Sequence, residues 1–135
     1  MAWYYFRLIG TSSNELVAVS KINDSSVVMQ SYVKACDSFG LSNDESARLL
    51  GIKRTSFLRR KTNGFDTESK EFELQLLLIE IYRSLFALCG GDKKSIKEWM
   101  YDYNHHLNDV PITLCFSLRG IVHVSDYLDT LRQNV

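Results

Sequence analysis

Residues 42–64, SNDESARLLGIKRTSFLRRKTNG, constrain the fold more than any other part of the chain. Ser42 and Glu45 stand as S-x-x-E, the capping-box spacing. The serine oxygen takes the backbone N–H three residues on, and the glutamate reaches back to the serine's own N–H. That pair sets a helix start. A short helix over 43–50 follows, with Ala47 and Leu50 turned inward. Gly51 permits a tight turn. A second short helix spans about 54–62, with Phe57 and Leu58 on its buried side and Asn63-Gly64 at its end. Ala47 is small enough to let the two helices cross closely. Two short helices joined through LGIK in this way form a helix-turn-helix.

The second helix of the pair is also where the charge sits. Residues 51–64 hold five positive side chains and no negative one, although the whole chain balances 16 Lys+Arg against 16 Asp+Glu. The neutrality is two regions cancelling. Residues 41–64 carry six positive and two negative groups, net +4, and residues 65–135 carry seven positive and eleven negative, net −4. Such asymmetry points to one segment that meets a polyanion and another that meets something else. With Phe57 inward, Arg54, Thr55, Ser56, Arg59 and Arg60 are the outward candidates, flanked by Lys53 and Lys61. Arginine suits bidentate contact with guanine in the major groove, and Lys, Arg, Thr and Ser suit phosphates. These seven residues are therefore the candidate contacts to double-stranded DNA.

The remaining pattern is also helical. Val28, Tyr32, Cys36 and Phe39 recur at helical spacing, which predicts a helix over 26–39 with Asp24 or Ser25 as N-cap and Gly40 as its end. Residues 70–91 predict a long helix whose stripe comprises Phe72, Leu76, Ile79, Leu85 and Phe86, closed by Gly90-Gly91. Asp92 caps a helix running through Trp99 and Met100, and YNHHLNDV is a loop. Pro111 opens a short helix to about Leu118, Gly120 breaks it, and a last helix covers 122–132. The leucine run 76–78 reads as core or as a dimer seam. Residues 1–23 are β-prone around a TSSN turn and fit either a short hairpin or an apolar arm packed on helices. The expected fold is mainly α, with a hairpin in residues 1–23 as its one candidate β element.

Composition closes off several function classes. At 45% hydrophobic and 12% aromatic residues the chain can build a core. No apolar run is long enough to span a bilayer, and the N-terminus lacks the basic region and cleavage site of a signal peptide. Cys36, Cys89 and Cys115 are scattered without a CxxC pair, which points to reduced thiols in a cytoplasmic protein. His105, His106 and His123 lack the spacing of a structural zinc site. Cys115, His123 and Asp126 are the residue types of a nucleophilic triad, but Cys115 falls on an apolar helix face and reads as a packed thiol. There is no glycine-rich phosphate loop. Neither a catalytic set, a metal site nor a cofactor is expected.

From the helix-turn-helix onward the chain resembles the Xre/MbcA/ParS-type antitoxins. The helix-turn-helix is followed by a long helix, a GG pair, Trp99, and Asn104-x-x-Leu107-x-x-x-Pro111, then Leu114, Gly120, Val124 and Leu128 in the family's order and spacing. Ser117 stands where the family usually has Thr, and Asn108 and Asp109 stand where it usually has glycines. Lys53 takes the place of a Ser or Thr cap, and Arg60 that of a frequent aromatic. The likeness covers roughly residues 26–132. It implies a protein that binds and neutralises a toxin, often a RES-domain enzyme that destroys NAD, through its C-terminal domain. It also implies repression of its own operon through the helix-turn-helix, and a homodimer.

On this reading residues 1–25 are an extension, 26–66 an Xre-like helix-turn-helix domain, and 67–135 the long helix and a small helical toxin-binding domain. Candidate toxin contacts are Tyr127, Leu131, Arg132, Gln133, Asn134 and Val135, at the end of the last helix and in the tail. Trp99 reads as a core anchor. Two alternatives stay open: a stand-alone DNA-binding regulator without a toxin, and an interaction protein whose helix-turn-helix has left DNA.

Overall fold

The computed structural model describes residues 21–134. Seven helices occur among the described residues: α1 (Lys21–Ser38), α2 (Asn43–Leu49), α3 (Arg54–Arg60), α4 (Lys70–Leu88), α5 (Lys93–Tyr101), α6 (Pro111–Leu114) and α7 (Leu118–Gln133). The protein is mainly α, as expected. The N-terminal hairpin or arm lies outside the described residues, except that residues 21–23 open α1.

Helix α4 is the centre of the bundle. Phe72, Leu76, Leu78, Ile79, Ile81 and Leu85 are all buried, and at 100° per residue they fall on two opposed faces, Phe72, Leu76 and Ile79 on one and Leu78, Ile81 and Leu85 on the other. A helix apolar on two faces must be covered on both. Helix α1 packs on one side and α7 on another, while α5 packs against the end of α4 and against α6. Helix α1 contributes Val28, Met29, Tyr32, Cys36 and Phe39 to the same core, and α7 contributes Ile121, Val124 and Leu128. The leucine run resolves as core, with Leu76 and Leu78 buried and Leu77 half-buried against them.

Three local expectations need correction. Helix α1 begins at Lys21, so Asp24 and Ser25 lie in its first turns rather than capping it, and both are buried there. Phe86 does not join the core stripe and is 50% exposed. Helix α1 ends opposite Tyr82, whose ring meets Phe39 at 5.6 Å, so one turn later nothing from α1 remains to cover α4. Phe86 instead lies tilted against Tyr82 at 6.2 Å. The third correction concerns Gly120, which does not break a helix. The break falls earlier, because α6 ends at Leu114 and Ser117 caps α7, its hydroxyl accepting the Gly120 N–H at 3.0 Å. A Cβ on Gly120 would stand 2.0 Å from the Leu114 carbonyl oxygen. Glycine is there so that α6 can turn directly into α7.

Replacing Gly120 by Ala forces that carbonyl to move, so Gly120→Ala should lower stability by about 1–3 kcal/mol. Loss of the cap in Ser117→Ala should cost about 1 kcal/mol. Urea-unfolding midpoints of the two variants and the parent check both values; the glycine variant should be at least as damaging.

Candidate functional site

The candidate helix-turn-helix consists of α2, its turn and α3. Both capping-box bonds form: the Glu45 N–H donates to Ser42 Oγ at 3.1 Å, and the Ser42 N–H donates to Glu45 Oε1 at 3.0 Å. The carboxylate of Glu45 is held below the usual range by those Ser42 bonds. The turn closes with the Gly51 N–H on the Arg48 carbonyl at 3.0 Å and the Ile52 N–H on the Ala47 carbonyl at 3.1 Å. This is a Schellman closure, and it sets Gly51 at φ +70°, a conformation that other residues rarely hold. Ala47, Leu50 and Phe57 are fully buried between the helices, and Ile52 is half-buried.

Two contacts fasten the unit. Tyr32 of α1 donates its hydroxyl to the Ser46 carbonyl at 2.7 Å and meets the Phe57 ring edge-on at 6.1 Å. At the far end Lys61 Nζ donates to Asn43 Oδ1 at 3.0 Å, tying the end of α3 to the start of α2. Lys61 is half-buried by that bond, as is Ser56, whereas Lys53, Arg54, Thr55, Arg59 and Arg60 are exposed. Lys53 is the N-cap of α3 and makes no side-chain capping bond. Behind the exposed face lies a cleft of about 390 Å³ between α3 and the start of α4, lined by Ile52, Ser56, Arg59, Arg60, Phe65 and Glu71 among others.

Leu58 departs from expectation: it is 38% exposed and is not one of the buried core residues. The reason is rotation. With Phe57 aimed inward, the next residue lies 100° round the helix, one turn beyond Arg54. The 3.6-residue period, applied to Phe57 alone, would have placed Leu58 outside.

The second region of interest is the end formed by α5, the 102–110 loop and α7. Asn104 organises the loop, its Oδ1 accepting the N–H groups of His106 at 2.9 Å and Leu107 at 3.0 Å. Asn108 holds φ +62°, a left-handed conformation that asparagine tolerates and glycine takes freely. That explains how asparagine can stand in a place otherwise suited to glycine. The loop brings His106 against Tyr127 of α7 (5.8 Å, 24°), and Trp99 of α5 stacks near the same tyrosine (6.4 Å, 18°). Trp99 and Tyr127 are both half-buried, so the tryptophan braces α5 on α7. His106 joins this stack, a role the sequence did not suggest, because ring stacking leaves no spacing signature.

The other tail candidates line up along α7 in different settings. Leu131 is half-buried on the core, while Arg132, Gln133 and Asn134 are exposed. Arg132 Nη1 donates to the buried Ser84 Oγ at 3.2 Å, and Ser125 Oγ donates to Glu80 Oε2 at 3.2 Å, so α7 is stitched to α4 along its length. Val135 lies outside the described residues. The two regions also touch: the Arg48 guanidinium of α2 sits 4.8 Å over the Phe116 ring, and Tyr101 of α5 donates its hydroxyl to the Phe39 carbonyl at 2.6 Å.

Cys115 is 1% exposed, and burial pushes its thiol up to about 12. Cys36 is pushed up to about 11, chiefly by burial. A packed, protonated thiol is a poor nucleophile. Among the described residues no group of three or more His, Cys, Asp and Glu is arranged to hold a metal ion, and no helix is long and apolar enough to cross a membrane.

The raised thiols carry a stability signature. An unfolded thiol ionises near about pH 8.5, whereas these two stay protonated in the folded chain. Their contribution is complete below that pH and is lost as pH climbs through the folded values of about 11 and about 12. Burial raises the Tyr32 phenol in the same sense. Unfolding free energy measured in urea should therefore fall progressively above about pH 9, and Cys115→Val should flatten part of that decline.

No curated protein matches the chain. Residues 84–133, from the end of α4 through α7, match the family of the antitoxin Xre/MbcA/ParS C-terminal toxin-binding domain, and this part of the chain is similar to that family.

Proposed function

We propose that the protein is the antitoxin of a type II toxin–antitoxin pair, a binder with two surfaces and no chemistry of its own. The family match over residues 84–133 carries this reading, because it covers the 102–110 loop, α6 and α7 together. One surface neutralises a partner toxin by occlusion. Tyr127, Leu131, Arg132, Gln133, Asn134 and Val135 are its proposed contacts, with the stacked Trp99 and His106 bracing Tyr127. The proposed toxin is a RES-type enzyme that degrades NAD. The other surface is the exposed basic face of α3, through which a homodimer represses its own operon in the cytoplasm. Lys53, Arg54, Thr55, Ser56, Arg59, Arg60 and Lys61 are the proposed DNA contacts. The separation of +4 in residues 41–64 from −4 in residues 65–135 supports this division of labour.

Co-expression with the product of the neighbouring reading frame tests the first surface. Growth and cellular NAD should be preserved by the full chain and lost when residues 131–135 are deleted, with circular dichroism confirming that the truncated chain is folded. Growth arrest and NAD loss that persist beside the full chain would refute neutralisation for that pair.

A stand-alone DNA-binding regulator is the second reading. The observation that favours it is that the basic face of α3 is complete without the C-terminal helices. Absence of any toxin-like reading frame next to the gene would support it. Both readings share a prediction for Arg59 and Arg60: if each meets a phosphate, replacing either by Ala should lower the slope of log K against log salt by roughly 0.9. Gel-shift titrations at several salt concentrations measure that slope.

A further inference from the structure

Leu58 is the one apolar side chain on the outward face of α3. It is 38% exposed, is not one of the buried core residues, and does not line the cleft behind the helix. One turn back on the helix lie Arg54 and Thr55, Arg59 follows it directly, and Lys61 and Thr62 come just after α3 ends. None of them is acidic or apolar, and Arg54, Thr55, Thr62 and Arg59 are exposed like Leu58 itself. A leucine set among cations lies on the face that a polyanion would approach. On the major-groove edges of duplex DNA the apolar group available to it is the thymine C5-methyl. The cations would hold phosphates and guanines around it.

We infer that Leu58 is a base-reading residue: it packs on a thymine methyl in the major groove and makes the protein prefer thymine at one position of each half-site. This rests on the DNA-binding reading of α3 and adds the base that the helix selects. Phosphate contacts position the helix without telling one base from another, so the preference falls to the side chains that reach base edges.

The test uses the full chain and a duplex that it enriches from a random pool. Each thymine of that duplex is then replaced in turn by uracil, which removes the methyl group and leaves the base-pairing edge unchanged. The parent protein should lose about fourfold in affinity at one thymine per half-site, the factor expected for returning one methyl group to water. Leu58→Ala should bind the thymine duplex more weakly by a similar factor and be indifferent to uracil at that position. Arg54→Ala should weaken both duplexes alike. Thermal unfolding of Leu58→Ala should remain cooperative, so that its loss of binding reports the contact and not the fold.

Three results would overturn the inference, each in its own way. Equal binding of every uracil duplex by the parent would remove the methyl contact. A change from dimer to monomer in Leu58→Ala, by sedimentation, would make Leu58 a contact between two copies of the chain. Failure to enrich any duplex would remove DNA from α3 altogether, and with it the reading on which the inference stands.

Discussion

Burial of α4 on two opposed faces is the constraint from which the rest of the arrangement follows. A helix that presents Phe72, Leu78, Ile81 and Leu85 in different directions cannot lie on a surface. It needs helices on more than one flank, and α1 and α7 supply them. Because α1 covers one flank, its other face is left to carry the helix-turn-helix, which it does through Tyr32. Because α7 covers another flank, the far end of α7 is presented beside the C-terminal end of α4. The two candidate surfaces are thus held on opposite partners of one central helix.

That arrangement places the basic residues of α3 and the candidate contact residues of α7 on a shared frame. Tyr32 reaches both the Ser46 carbonyl in α2 and the Phe57 ring in α3, so α1 sets the orientation of α2 and α3. Arg48 over Phe116 and Tyr101 on the Phe39 carbonyl cross from the N-terminal region to the C-terminal one. The bonds of Ser125 to Glu80 and Arg132 to Ser84 then fix α7 on α4. Each is a polar or aromatic contact at the edge of an apolar core, where direction matters more than area. The core supplies the bulk of the stabilisation, and these contacts orient the pieces.

Local chemistry was the legible part of the fold. The capping box at Ser42 and Glu45, the turn at Gly51 and the cap at Asp92 all depend on residues within a few positions of one another, and all three form as read. The misreadings share a different cause. Asp24 and Ser25 are good caps by type, but the helix runs on upstream of them. Phe86 continues the apolar stripe of α4, but α1 stops short of it. Gly120 looks like a breaker, yet its missing Cβ makes room for the Leu114 carbonyl six residues earlier. In each case a residue's type was read correctly and its neighbour in space was not visible.

The sequence by itself determined where the helices of residues 42–64 begin and turn, how the charge divides, and the order of residues from Trp99 to Leu128 that marks the C-terminal domain. These rest on short-range hydrogen bonds, on charge and on a linear register, none of which needs a folded chain to be seen. Only the tertiary structure decided that Leu58 faces outward among cations, that His106 and Trp99 flank Tyr127, and that Lys61 is tied to Asn43. The physical reason is that exposure and stacking depend on which elements meet, and on where each one stops.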